Sequence, residues 1–201
     1  MSIEITLKKW QAEALERSNL PTLGIFLEAS GGRGKTICAM EICKHKKAKS
    51  VLIVNNRLSI LDGWKETIAK IGYDKDMTFT VVTDRSLQGM VKKCRVVCDV
   101  LVIDEWQNMS SDKNVSTYAK IKRSYTIGLS ATPIRKNGQN FYPLEKTIFG
   151  FANPNRKFDW QKVHGQMQYD PFSYSKEKWK DFKDYESYIS NLPNFFRWED
   201  I

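Results

Sequence analysis

The chain has 201 residues, of which 41% are hydrophobic, and a formal net charge of +9. This length fits one sizeable domain with its own core, and no stretch approaches the ~20 apolar residues of a membrane span. The N-terminus lacks the charged-then-apolar order of a signal peptide, so we expect a cytoplasmic protein of a bacterial or phage-infected cell, with no membrane partner.

The positive charge lies in the first part of the chain. Residues 1–150 contain 24 basic and 15 acidic side chains, whereas residues 151–201 contain eight of each. Such an excess favours a polyanionic partner such as nucleic acid, and a solvated lysine-rich surface is the alternative. The basic run at 44–49 is interpreted as such a solvated surface, because it lies at the end of a predicted helix, where cations suit the helix dipole.

A glutamine stands before the first predicted strand, in the segment Trp10-Gln11-x-x-Ala-Leu. The amide of Gln11 both donates and accepts hydrogen bonds, so it can pair with an adenine edge.

Residues 29–36 read Ala-Ser-Gly-Gly-Arg-Gly-Lys-Thr, directly after the apolar run 23–27. A strand, a glycine-rich turn and a helix start place backbone N–H groups and a positive helix end around a phosphate. The G-x-x-x-x-G-K-[ST] pattern predicts that Lys35 reaches the β and γ phosphates and that Thr36 offers its hydroxyl to Mg²⁺. Ala29 replaces the usual first glycine, and an ordinary strand-to-helix turn is the alternative.

Apolar runs bounded by polar turns recur along residues 1–150, and helical patterns alternate with them. Continuous apolar runs are typical of strands buried on both faces of a mainly parallel sheet. The alternation predicts an α/β doubly wound domain with helices on each side. The runs lie at 23–27, 51–54, 79–82, 96–103 and 125–129, and the helical patterns at 37–43 and 58–71.

The four cysteines are interpreted as reduced core thiols. Their spacings, x4 and x3, are not those of a C-x-x-C zinc pair, although a zinc site remains an alternative. They are Cys38, Cys43, Cys94 and Cys98.

An acidic pair, Asp104-Glu105, follows the apolar run that ends at Ile103. The carboxyl end of a buried strand is where an open α/β sheet binds ligands. Asp104 can hold Mg²⁺ through water and Glu105 can polarise an attacking water, or the pair can merely cap the next turn. A further strand leads into Ser130-Ala131-Thr132-Pro133, a hydroxyl-rich turn that can bond to the acidic motif and move with the γ-phosphate.

Residues 151–201 differ in character and are predicted to form an aromatic-rich helical or irregular appendage to a domain of residues 1–150. They hold 13 of the 24 aromatic residues. Trp179, Phe182 and Ile189 follow helical spacing, which predicts a helix over about 175–191. Aromatic rings beside lysines can stack on bases, but packing onto the sheet domain or a missing neighbour is favoured.

Together these segments resemble motifs of superfamily 2 helicases and translocases. Gln11, the loop 29–36, residues 104–107 and residues 130–132 resemble the Q motif and motifs I, II and III, in the right order. The segments 51–66 and 128–137 resemble the Swi/Snf-like branch, whose usual substrate is double-stranded DNA. The resemblance implies a RecA-like P-loop NTPase fold that uses ATP and Mg²⁺.

The resemblance also implies roles. Lys35, Asp104, Glu105 and Gln107 would be catalytic, with Thr36 and Asp104 at the metal. Trp106 replaces a small residue, and its bulk affects either nucleotide preference or packing. The residues that would contact ATP are Gln11, Ser30, Gly31, Gly32, Arg33, Gly34, Lys35 and Thr36. The residues that would couple hydrolysis to movement are Gln107, Ser130, Ala131 and Thr132. The residues that would contact nucleic acid are Arg57, Thr83, Arg85 and Arg135.

Motors of this superfamily cleave ATP between two RecA-like lobes, and the second lobe supplies arginines to the transition state. We recognise no second lobe after Thr132, so we expect this chain to bind ATP and to hydrolyse it poorly alone. It is then either an excised first lobe or a single-lobe protein completed by a partner, and the tail at 195–198 would begin the connection between lobes.

The leading hypothesis is the ATP-binding N-terminal lobe of a DNA-dependent ATPase, a helicase or duplex-DNA translocase. An RNA helicase lobe and a non-catalytic nucleic-acid or protein-interaction module are the alternatives.

Overall fold

A computed structural model of the chain describes residues 5–132, 141–150, 157–172, 177–192 and 194–197. Helices and parallel strands alternate through its first part, as predicted. The elements of this part are α1 (Lys9–Arg17), β1 (Gly24–Glu28), α2 (Lys35–His45), β2 (Ser50–Asn55), α3 (Leu58–Ile71), β3 (Thr78–Thr83), α4 (Asp84–Lys93), β4 (Val100–Ile103), α5 (Trp106–Met109), α6 (Asp112–Tyr118) and β5 (Tyr125–Ser130).

The second part contains shorter elements around an antiparallel pair of strands. They are α7 (Phe141–Leu144), which continues as a π-helical turn over Glu145–Phe149, then α8 (Lys157–His164), β6 (Gly165–Tyr169), β7 (Glu177–Phe182), α9 (Tyr185–Ser190) and β8 (Phe195–Arg197). Within the described ranges, no helix is long and apolar enough to cross a membrane.

The main sheet has six strands in the order β3-β2-β4-β5-β1-β8 among the described residues, and every pair in it is parallel. Every position of β1, β4 and β5 is buried, because helices cover both faces. This confirms the predicted RecA-like α/β fold with a mainly parallel sheet. Since all the strands run the same way, their carboxyl ends share one edge, called here the carboxyl edge.

Alternate residues of each strand pack into two cores. Ile25 and Leu27 face the core under α1, α2 and α3, whereas Phe26 faces the core under α4 to α7. Trp106 is fully buried in this second core with Leu101 and Ile103, which occupy alternate positions of β4. Its bulk therefore serves packing, and an effect on nucleotide preference stays a prediction.

Local signals set the helix ends. The hydroxyl of Thr83 accepts from the N–H of Ser86 at 3.1 Å and caps α4, and Gly72 ends α3 in the left-handed region at φ 82°. Cys38, Cys43 and Cys98 are buried, as predicted for core thiols, and burial raises the pKa of Cys38 to about 12. Cys94 is exposed, so the prediction is wrong for that residue.

The predicted helix over 175–191 is also wrong in its first half. Residues Glu177–Phe182 form β7, which pairs with β6, and only Tyr185–Ser190 is helical. Lys178 and Lys180 are exposed on either side of half-buried Trp179, which is the alternation of a strand. Asp184 then starts α9, because its carboxylate accepts from the N–H of Ser187 at 3.0 Å.

Aromatic residues of the second part complete the second core. Phe141, Trp160, Phe182 and Tyr188 form a cluster of rings whose centroids lie 4.9–6.0 Å apart in the contacting pairs. Phe182 is buried in the core that contains Phe26, and Trp179 and Ile189 pack against it. This agrees with the prediction that these residues pack onto the sheet domain. The division of the chain at residue 150 stays a prediction.

Candidate nucleotide-binding site

The loop between β1 and α2 has the backbone that its glycines predict. Gly32 and Gly34 both lie in the left-handed region, at φ 72° and 94°. A Cβ added at Gly31 or Gly32 would meet no atom within 4 Å, so the space beside the loop is open. Helix α2 begins at Lys35, and its free N–H groups and positive dipole end face the loop. These are features that bind an anion.

Gln11 braces this loop from α1. Its side-chain amide donates to the carbonyl of Gly34 at 3.0 Å, and its Oε1 accepts from the N–H of Lys8 at 2.8 Å. The amide keeps one further N–H and one further lone pair, which are available to an adenine edge. The contact of Gln11 with adenine stays a prediction. Ser30 and Gly31 are exposed, and Arg33 and Thr36 are half-buried in or next to the loop.

Lys35 extends back over the loop. Its ammonium donates to the carbonyls of Ala29 at 2.5 Å and Ser30 at 3.0 Å. Burial lowers the pKa of Lys35, and the negative charges of Glu105 and Asp104 oppose that shift. The structure therefore brings the loop lysine into the field of the acidic pair, although these residues are about seventy positions apart in the chain.

Asp104 lies at the carboxyl end of β4 and is buried. Its Oδ1 accepts from the N–H of Glu105 at 2.9 Å, and its Oδ2 accepts from the indole Nε1–H of Trp64 at 2.9 Å. Burial raises the pKa of Asp104, and the Trp64 hydrogen bond opposes it. Sequence reasoning placed Trp64 in the helical pattern at 58–71 and in the segment 51–66 that resembles the Swi/Snf-like branch, and it missed this hydrogen bond. Both carboxylate oxygens keep lone pairs for water or a metal.

A chain of hydrogen bonds connects the acidic pair to the turn after β5. Gln107 donates through Nε2 to Glu105, and its Oε1 accepts from the hydroxyl of Ser130 at 2.7 Å. The same hydroxyl is 2.6 Å from the carbonyl oxygen of Thr132. The structure thus brings together Glu105, Gln107 and Ser130, which the sequence placed in two separate motifs.

The predicted nucleic-acid contacts that can be placed lie at the carboxyl edge. Arg57 is exposed at the start of α3, just after β2, and Arg85 is exposed in the first turn of α4. Thr83 caps α4, and its hydroxyl is engaged with Ser86. Arg135 lies outside the described residues.

The site also contains an ion pair that sequence reasoning did not identify. Arg197 at the end of β8 donates through Nε to the carboxylate of Glu28 at 2.6 Å, and Glu28 directly precedes the loop. Its partners are 169 residues apart, so no local pattern could reveal it.

Comparison with known proteins places this site in a family context. Residues 4–97 match the family described as type III restriction enzyme, res subunit. Over 153 residues the chain is 29% identical to the DNA 3'-5' translocase XPB2 of Sulfurisphaera tokodaii, a match that covers 70% of this chain and 34% of that protein. The chain thus spans about a third of this relative's length.

Two solved structures share the fold. The SWI2/SNF2 ATPase core of Sulfolobus solfataricus in complex with dsDNA superposes with a TM-score of 0.70 at 21% identity, over 98% of this chain and 45% of that one. The SWI2/SNF2 ATPase core domain of the same organism gives 0.61 at 22% identity, over 74% of this chain and 36% of that one. The chain therefore has the fold of a RecA-like lobe. These matches agree with the resemblance to superfamily 2 helicases and translocases of the Swi/Snf-like branch that the sequence motifs indicate.

Proposed function

We propose that this chain is the ATP-binding lobe of a DNA-dependent ATPase of the helicase and translocase class. The observation that carries the proposal is the meeting of the lysine loop, the acidic pair and the Ser130 turn at one sheet edge. The negative charges of Glu105 and Asp104 both act to raise the pKa of Lys35. The N–H of Ala29 donates to the carbonyl of Ser130 at 3.2 Å. This donor set fits a nucleoside triphosphate.

Each residue then has a task in ATP hydrolysis. The loop N–H groups and Lys35 would hold the phosphates, and Glu105 would orient and polarise the attacking water. Mg²⁺, held by the hydroxyl of Thr36 and through water by Asp104, would supply positive charge that stabilises the phosphate oxygens. Gln107 touches both Glu105 and Ser130, so a change at Glu105 would be transmitted to the turn after β5.

DNA is the nucleic acid along which the protein is proposed to move. The charge excess in residues 1–150 supports a polyanionic partner, and the similar proteins include a DNA translocase and a core bound to dsDNA. A second RecA-like lobe, in the same parent chain or in a partner, would supply the arginines that stabilise the transition state. Hydrolysis by this chain alone is therefore expected to be slow.

Nucleotide binding tests the first half of the proposal. We expect Lys35→Ala to weaken Mg²⁺-ATP binding by about a hundredfold, because it removes a charged donor to phosphate. Calorimetric titration of the 201-residue chain measures this. Lys44→Ala, at the other end of α2, is the control and should bind as the wild type does. Equal binding by all three proteins would refute an ATP site at this loop.

The second half of the proposal, ATP hydrolysis that depends on DNA, is tested with the protein together with its second lobe. There we expect duplex DNA to stimulate ATP hydrolysis, and Glu105→Gln to abolish the stimulated rate while nucleotide binding persists. Stimulation by RNA alone would overturn the DNA assignment, and binding without turnover in every combination would leave a non-catalytic module.

A further inference from the structure

Three strand ends lie side by side at the loop. Glu28 of β1 is in register with Ser130 of β5 on one side and with Arg197 of β8 on the other. The guanidinium of Arg197 reaches across this register, with Nε 2.6 Å from Oε1 of Glu28, and its Nη2 donates to the hydroxyl of Tyr185 at 2.7 Å. The pair is largely buried, with 5% of the Glu28 side chain and 21% of the Arg197 side chain exposed.

Burial makes the partners interdependent. A buried carboxylate that loses its cation is left uncompensated in a medium of low dielectric, and the chain must then move to reach water. Burial alone would lower the pKa of Arg197, yet the charge of Glu28 and the Tyr185 bond outweigh it and raise the pKa. The guanidinium is therefore held charged against Glu28.

Movement of Glu28 would displace the phosphate loop directly. The next residue, Ala29, donates its N–H to Ser130 and accepts from the ammonium of Lys35 at its carbonyl. The backbone that Arg197 holds through Glu28 is therefore the backbone that positions Lys35.

We propose that Arg197 is a positioning residue for the phosphate loop, acting through Glu28, and that β8 docking and nucleotide binding are thereby linked; this rests on the proposed ATP site. The linkage is reciprocal, so bound nucleotide also stabilises β8 against the sheet. A three-residue edge strand is an element expected to open easily, which makes it responsive to such a bias.

Arginine and glutamate variants of the full chain test this. We expect Arg197→Gln and Glu28→Gln each to weaken Mg²⁺-ATP binding about tenfold, because each removes a charge-assisted hydrogen bond. The double variant should lose little more than either single variant, since both remove one interaction. Arg197→Lys keeps a cation and should restore part of the affinity.

The chain offers a matched control. Arg17 of α1 also contacts β8, since its Nη1 donates to the carbonyl of Phe195 at 3.2 Å. Arg17→Gln should leave nucleotide affinity within about twofold of the wild type, because it does not touch Glu28. Equal losses in Arg17→Gln and Arg197→Gln would overturn the proposal in favour of general support of β8.

Hydrogen exchange on the wild type keeps the test decisive if a variant fails to fold. Nucleotide should slow exchange at the amides of Phe195–Arg197 and leave the opposite edge strand β3 unchanged. The proposal would be overturned if folded Arg197→Gln bound nucleotide with wild-type affinity, or if nucleotide did not change hydrogen exchange in β8. The Lys35→Ala variant tests the ATP site separately. A wild type that binds no nucleotide would remove the proposed function itself.

Discussion

The carboxylate of Asp104 is fixed at both oxygens, by the N–H of Glu105 and by the indole N–H of Trp64. A strand that ends in Asp-Glu made its position predictable from sequence. The tryptophan was not predictable as its partner, because it lies 40 residues earlier on a helix where its apolar character explained it fully. Trp106 shows the same limit, since only the packed core reveals that its ring is buried.

Replacing the indole of Trp64 separates orientation from packing. We expect Trp64→Phe to keep an aromatic ring in the core, to free Oδ2 of Asp104, and to raise the Mg²⁺ concentration needed for ATP binding about tenfold. ATP titrations at a series of Mg²⁺ concentrations measure this.

Trp160→Phe is the matched control, because Trp160 Nε1 donates to the buried carboxylate of Glu145 at 3.1 Å, in the aromatic core of the second part. It should lower stability and leave the Mg²⁺ requirement unchanged. The same shift in both variants would contradict a specific role of Trp64.

Among the elements, the strand–loop–helix unit at 24–45 was the most predictable and the strand β7 the least. The loop is specified locally, because its glycines permit the positive φ angles found at 32 and 34. In β7, Trp179 and Phe182 fit both a helical face and a strand, and the pairing with β6 decides between them. Such pairing depends on residues at 165–169, which the sequence of 177–182 does not identify.

Glycine substitutions test the loop as an element. At Gly34 a Cβ would lie 2.7 Å from Nε2 of Gln11, at a φ of 94°, so Gly34→Ala should cost about 1–3 kcal/mol of unfolding free energy and weaken ATP binding. Urea unfolding and calorimetric titration measure the two effects.

Gly63 is the control, because it lies within α3 and an added Cβ would meet no atom within 4 Å. Gly63→Ala should stabilise the protein by about 0.5–1 kcal/mol and leave ATP affinity unchanged. Stability that is unaffected by Gly34→Ala would show that the loop tolerates a side chain there.

At the scale of the whole molecule, the parallel sheet gathers the loop, the acidic pair and the basic loops after β2 and β3 along one edge. The net charge of +9 predicts a polyanionic partner, but charge alone does not say which face meets it. The fold places two of the predicted contact residues, Arg57 and Arg85, exposed at the carboxyl edge that also carries the candidate ATP site, and we propose that this edge meets the nucleic acid.

Salt dependence of duplex-DNA binding tests that surface. We expect Arg57→Gln/Arg85→Gln to weaken binding and to reduce the slope of log affinity against log salt by about two, because each arginine that binds a phosphate adds about one to that slope. Lys92→Gln/Lys93→Gln removes the same charge at the opposite end of α4 and should change the slope little. Identical slopes for the two double variants would place DNA elsewhere.

Spacing along the chain specifies whatever depends on neighbours: the strand–helix alternation, the glycine loop, the acidic strand end and hence the resemblance to helicase motifs. Those patterns are local because a helix repeats about every 3.6 residues, a strand about every two, and a phosphate loop needs its glycines in one short segment. Contacts such as Trp64 with Asp104 and Arg197 with Glu28 arise only when distant segments pack. Burial then makes those contacts obligatory, because an unpaired carboxylate or guanidinium cannot remain inside the protein at low cost.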